Sequence, residues 1–202
     1  MRLLSFAMLL CMVVQPARAD GPAAPDTRLD IFPTAPRQSL PAEQQGFDVD
    51  EKMPTHDFGH GPQPYLLIEL PPFQAPYEVR LRNEIREIEA ASSKRLTRLV
   101  PHVQTLKSDF ALARNYPSTK LRERNGSQEL TVFVNPQNRD ERFLLVYGDM
   151  KARATELLRS ESKTVFVGTG FFLDGADNRQ VIHPFEKGSV LVEVKNLTPP
   201  AK

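Results

Sequence analysis

Tryptophan is absent from this sequence, cysteine occurs once, at position 11, and no apolar run beyond residue 14 approaches the ~18 residues of a membrane-spanning helix. The missing Trp removes the widest aromatic platform for stacking against flat ligands, leaving the tyrosines at 65, 77, 116 and 147. The missing cysteines exclude disulfides and a thiol nucleophile from the chain beyond position 11, so its stability has to come from an apolar core. Charge of either sign is also not in excess: 26 Lys and Arg stand against 25 Asp and Glu. That balance offers no electrostatic attraction to nucleic acid or to an anionic membrane.

Residues 1–19, MRLLSFAMLLCMVVQPARA, carry a basic residue (Arg2), an apolar stretch from Leu3 to Val14, a Pro16 break and the small-x-small end Ala17-Arg18-Ala19. These are the three parts of a secretory signal peptide, with cleavage expected before Asp20. Leu10 before Cys11 is not the small residue that lipid attachment calls for, so Cys11 reads as apolar filler lost with the leader. Removing Arg2 and Arg18 leaves 24 basic residues against 25 acidic, a net charge of −1. A periplasmic, soluble protein without membrane insertion after cleavage is the expectation.

Residues 20–61 are rich in Pro, Gly and polar side chains, and eleven of the eighteen prolines fall between 20 and 76. This composition predicts an extended or disordered segment in which Leu29, Ile31, Phe32 and Phe47 are isolated apolar points. A folded domain is expected over 62–197, with 198–202 as a tail. It consists of short β-type runs. PYLLIEL is closed by Pro71-Pro72, and YEVRLR alternates Tyr77, Val79 and Leu81 with Glu78, Arg80 and Arg82. Residues 84–95 suit a helix or a strand-turn-strand. RLVPHVQTL reads as a strand that Pro101 places at an edge or bulge. STKLRER and QELTVFVN flank Asn125-Gly126, a tight-hairpin signal. RFLLVYG, KTVFVGTGFFL and SVLVEV supply further strands. Between them, Asp149 as a cap and Met150, Ala154, Leu157 and Leu158 at helical spacing predict one short amphipathic helix. The fold class expected is mainly β, an antiparallel β-sandwich with that single helix.

Chemistry is sparsely signalled. His56 and His60 are four apart, but Pro54, Gly59, Gly61 and Pro62 oppose a helix, the residue beside His56 is Asp57 rather than Glu, and no third ligand follows. They read as a loop pair at the threshold of the domain, with no metal expected. His102 and His183 each adjoin a proline and are distant in sequence. Asp174 and Asp177 in DGADNRQ lack the ligand spacing of a calcium loop and read as a turn. The GTG at 168–170 lacks the third glycine and the helix of a dinucleotide site. With no Gly-x-Ser-x-Gly motif and no assignable acid pair, no catalytic residue and no cofactor are predicted. Arg80, Arg82, Arg86, Lys94, Arg95 and Arg98 alternate with Glu78, Glu84, Glu87 and Glu89, the pattern of a solvated, salt-bridged face.

The succession GPQPYLLIELPP, RLVPHVQTLKSDFALARNYPS, ELTVFVNPQNRDERFLLVYGDMKARATELL and GSVLVEVKN, over roughly 61–197, resembles the maltose operon periplasmic protein family. The resemblance implies a periplasmic, mostly β, non-catalytic accessory or binding protein of maltose and maltodextrin transport. It supplies no binding residues. A maltodextrin or an envelope protein is the partner it implies, and an envelope interaction module without a sugar ligand is the alternative.

Overall fold

Alternation dictates the strand Tyr77–Asn83 (β5): Tyr77, Val79, Leu81 and Asn83 are buried, and the residues between them face outward. The computed structural model describes residues 34–41, 43–90, 93–124, 127–167 and 170–196. A first sheet runs in the order β1 (Gln38–Ser39), β4 (Pro62–Glu69), β12 (Glu141–Gly148), β8 (Pro101–Lys107) and β9 (Leu112–Tyr116), with β3 (Thr55–Asp57) also on β4. A second has the order β10 (Arg122–Arg124), β11 (Ser127–Val134), β5, β15 (Gly188–Lys195) and β2 (Gln45–Val49). The third is β13 (Thr155–Val167), β14 (Gly170–Phe185), β7 (Ser93–Leu99) and β6 (Ile85–Ala90). Only β1–β4 and β14–β7 pair in parallel among the described residues.

The first two sheets face each other. Leu66, Ile68, Val103, Leu144 and Val146 from one meet Val79, Leu81, Val132, Val190 and Val192 from the other in a single buried cluster, which gives the sandwich-like core. The first sheet is apolar on its other face as well, where Tyr65, Leu67, Leu106, Phe143, Leu145 and Tyr147 are buried. That is why PYLLIEL and RFLLVYG read as continuous rather than alternating apolar runs.

Several expectations change. The helix expected from Asp149 is absent: Asp149 Oδ1 accepts from Lys151 N at 2.9 Å, Ala152 N donates to Asp149 O at 3.2 Å, and the chain enters β13 at Thr155. Met150 and Leu158, half of the supposed apolar face, are 42% and 63% exposed. Pairing along β14, from Thr155–Ile182 to Val167–Gly170, overrides the local helical spacing. Asp174 and Asp177 lie within β14, opposite Lys163 and Ser160, so DGADNRQ is strand and not turn. Within 84–95 the described residues lie on two paired strands rather than a helix, with Ile85 opposite Arg98 and Ala90 opposite Ser93; residues 91 and 92 lie outside the described residues. Pro101 marks no edge. It opens β8 inside the first sheet, and at the first residue of a strand its missing N–H is tolerated.

The domain also begins earlier than residue 62. β2 pairs with β15, and Phe47 and Val49 enter the core at 7% and 0% exposure, with Leu40 and Met53 packed against it. Isolated apolar residues in a polar segment carry no period, so composition alone could not reveal this strand. Residues 1–19, with Leu29, Ile31 and Phe32, lie outside the described residues, as do Asn125 and Gly126. The strands flanking those two pair with Arg124 opposite Ser127, the register of a two-residue hairpin. Among the described residues no helix is long and apolar enough to cross a membrane.

Phe47→Ala is expected to lower the unfolding free energy by about 3–5 kcal/mol, measured by urea denaturation, since it empties a core site. If residues upstream of 62 were outside the domain, its effect would stay below about 0.5 kcal/mol.

Candidate functional site

A cleft of about 620 Å³ opens at the free end of the second sheet, within the ~300–1,000 Å³ range of ligand sites. Tyr116 reaches it from β9, Lys120 from the 3-10 turn Ser118–Lys120, Arg122 and Glu123 from β10, and Thr131 and Phe133 from β11. Alternation explains the last pair. Leu130, Val132 and Val134 fill the core, so Thr131 and Phe133 must face out, Phe133 at 53% exposure.

Two arginines hold this cleft from behind. Arg114 grips the buried Glu141 with both prongs, Nε to Oε1 and Nη2 to Oε2 at 2.6 Å each, and donates to the Phe133 carbonyl at 3.0 Å. Its guanidinium carbon lies 5.4 Å from the centre of the Tyr116 ring. One side chain thereby fixes Tyr116 against the backbone that carries Phe133, and a bidentate carboxylate pair is the geometry that restrains a guanidinium most firmly. Arg98 is 1% exposed and donates to Glu123 Oε1 at 3.2 Å and Thr155 Oγ1 at 2.8 Å. Elsewhere on the expected salt-bridged face, Arg80 pairs with Glu78 at 3.3 Å and Lys94 with Glu87 at 2.6 Å, while Arg86 pairs with Asp48 of β2 rather than with a neighbouring glutamate. Arg98 departs from that face because the crossing from β7 into β8 carries it inward, where it orients a cleft carboxylate.

The cleft presents two aromatic side chains, Tyr116 and Phe133, among groups that donate and accept hydrogen bonds. This combination suits a polyhydroxylated ligand: apolar ring faces stack, and charged side chains bond to hydroxyls. Tyr116 is the tyrosine that lines this cleft. Tyr65, Tyr77 and Tyr147 are 2%, 3% and 8% exposed and offer no free face.

The histidines do not converge on one site. His56 lies in β3 with its ring edge-on to Phe58 at 4.9 Å, and His60 is exposed in the loop beyond. That loop is organised by Asp57, whose Oδ1 accepts from the N–H groups of Gly59, His60 and Gly61 at 2.7, 3.0 and 3.0 Å. These backbone bonds, Gly59's foremost, hold the Asp57 carboxyl below its usual range. Gly59 and Gly61 have φ of 91° and 85°, the left-handed conformation that glycine adopts without strain. His102 stacks on Tyr147 at 4.8 Å and bonds Asn115 Oδ1 at 2.6 Å, while Phe58 lies flat against Tyr147 at 3.8 Å. His183 sits in β14 opposite Thr97. Among the described residues no group of three His, Cys, Asp or Glu gathers as a metal site. Gly168 and Thr169 of the GTG lie outside the described residues, and Gly170 opens a strand rather than a helix.

Comparison of the chain with protein families, curated proteins and solved structures finds no match.

Burial pushes the phenols of Tyr77 and Tyr147 up to about 12, with Glu141 adding to the first and Asp149 to the second, against 10.0 for an ordinary tyrosine. The unfolded chain releases these protons near pH 10 and the folded one near 12, so their contribution to stability is complete below pH 10 and falls between 10 and 12. Absorbance titration near 295 nm is expected to show the phenols of Tyr77 and Tyr147 among those that ionise only with loss of the fold, and Tyr147→Phe to lower that amplitude by one phenol.

Proposed function

We propose that this chain is a non-catalytic periplasmic accessory protein of maltose and maltodextrin transport, and that the cleft between Tyr116 and Phe133 is where it holds an oligosaccharide. The observation that carries the reading is the cleft itself: an aromatic pair, one member fixed by Arg114, amid Lys120, Arg122 and Glu123. The order of motifs that resembles the maltose operon periplasmic protein family supports the substrate class, and the leader-like first nineteen residues support export before Asp20. Glu123, bonded to a buried arginine, serves here as a fixed hydrogen-bond acceptor. A second reading, an envelope interaction module without a sugar ligand, is favoured by a different feature, the outer edge of β6, which has no neighbouring strand among the described residues.

Calorimetric titration with maltose through maltoheptaose tests the first reading. Binding is expected at a Kd on the order of 0.1 to 1 mM, or about 4 to 5.5 kcal/mol. Phe133→Ala, which removes an exposed ring, is expected to weaken it roughly tenfold while leaving the melting temperature unchanged. Absence of heat with every sugar would remove the cleft's assigned role and leave the interaction reading.

A further inference from the structure

The third sheet ends in an unusual ribbon. β7 pairs with β14 only at Ile182–Phe185, whereas β13 and β14 run on together from Glu156–Val181 to Val167–Gly170. Over that length the sheet has two strands, and among the described residues β13 has no neighbour on its outer edge. Two-stranded ribbons are marginal in water, and an open edge is a template for a further strand. We infer that β13 pairs antiparallel with β13 of a second copy of this chain, joining two four-stranded sheets into one across a two-fold axis.

The sequence TELLRSESKTVFV selects its own register. A two-fold axis through an antiparallel pair sets one residue opposite itself, which leaves few arrangements. Centring on Glu161 sets Glu161 against Glu161 and Arg159 against Lys163, and centring on Lys163 sets that lysine against itself; like charges directly opposite destabilise a ladder. Centring on Ser160 sets Leu157 opposite Lys163 and Leu158 opposite Ser162. Centring on Ser162 sets Glu161 opposite Lys163, Ser160 opposite Thr164, Leu158 opposite Phe166 and Leu157 opposite Val167, each pair occurring twice. Arg159 alone falls opposite an apolar residue, Val165; every other charge, hydroxyl and apolar residue from Leu157 to Val167 finds its own kind of partner, which no other register achieves. The overlap from Leu157 to Val167 spans roughly 35 Å at the rise of an extended strand.

Sedimentation of the full chain, with Cys11→Ser to remove its thiol, is expected to show a dimer at micromolar concentration. Lys163→Glu sets like charges opposite each other at two places and is expected to raise the dimer Kd on the order of tenfold. The swap Glu161→Lys with Lys163→Glu restores the wild-type value. Under mild oxidation Ser162→Cys is expected to form a disulfide-linked dimer, Ser160→Cys and Thr164→Cys singly to remain uncrosslinked, and the Ser160→Cys/Thr164→Cys double variant to crosslink. Circular dichroism confirms that each variant keeps its β structure. A monomer at all concentrations, a dimer indifferent to Lys163→Glu, or crosslinking equally efficient at all three positions would overturn the proposal.

Discussion

All three sheets meet at Leu99. The chain leaves the third sheet there, opposite Phe185, and enters the first two residues later at Pro101, opposite Gly148. The second sheet takes hold of the crossing through Asn83, which is fully buried at the end of β5: its amide donates to Leu99 O at 2.9 Å and to Gln128 Oε1 at 3.1 Å, and its carbonyl accepts from Gln128 N at 2.8 Å. A carboxamide in this place uses three of its hydrogen-bonding positions and has no access to water, so the junction is specified by geometry and not only by apolarity. Gly188 at the start of β15 completes it. A Cβ at that position would lie 2.8 Å from Leu99 Cβ and 3.0 Å from Leu99 N, so the close approach of β15 to the crossing exists only because a side chain is absent.

The cleft and the ribbon both depend on this crossing. Leu99 and Val100 are carried into the core as the chain changes sheets, and Arg98 goes inward with them. Its guanidinium then reaches Glu123 in the cleft and Thr155 at the root of β13. A single buried cation therefore ties the position of a cleft carboxylate to the place where the ribbon leaves the body of the protein. Burying a guanidinium is costly unless its partners are fixed, so removing either contact would leave the charge under-satisfied. Arg114 does the equivalent on the opposite side, where the buried Glu141 holds it against Tyr116.

The sequence was legible where one period dominated. YEVRLR declared its buried face residue by residue, and the unbroken apolar runs of β4 and β12 marked them as strands, though not that their sheet is covered on both faces. It misled where local and tertiary preferences competed: TELL has the spacing of a helix, yet the long partner strand 170–185 claims it. It was silent where burial arises from topology. Nothing in RLTRLV separates Arg98 from the exposed arginines around it, and nothing near Phe47 gives a period from which to read a strand. The cleft was the least visible part. Tyr116 and Phe133 lie on different strands, brought together by β11's place in the second sheet and by Arg114, whose partner Glu141 is 27 residues away in the chain.

Equilibrium unfolding of Gly188→Ala tests most directly whether the crossing at Leu99 organises the fold. Gly188 is not in a left-handed conformation, so the substitution adds one methyl group and little else. With that methyl forced against Leu99, a loss of about 1–3 kcal/mol is predicted, the cost of overpacking a closed site. A change within about 0.5 kcal/mol, the size of an ordinary surface substitution, would contradict the account.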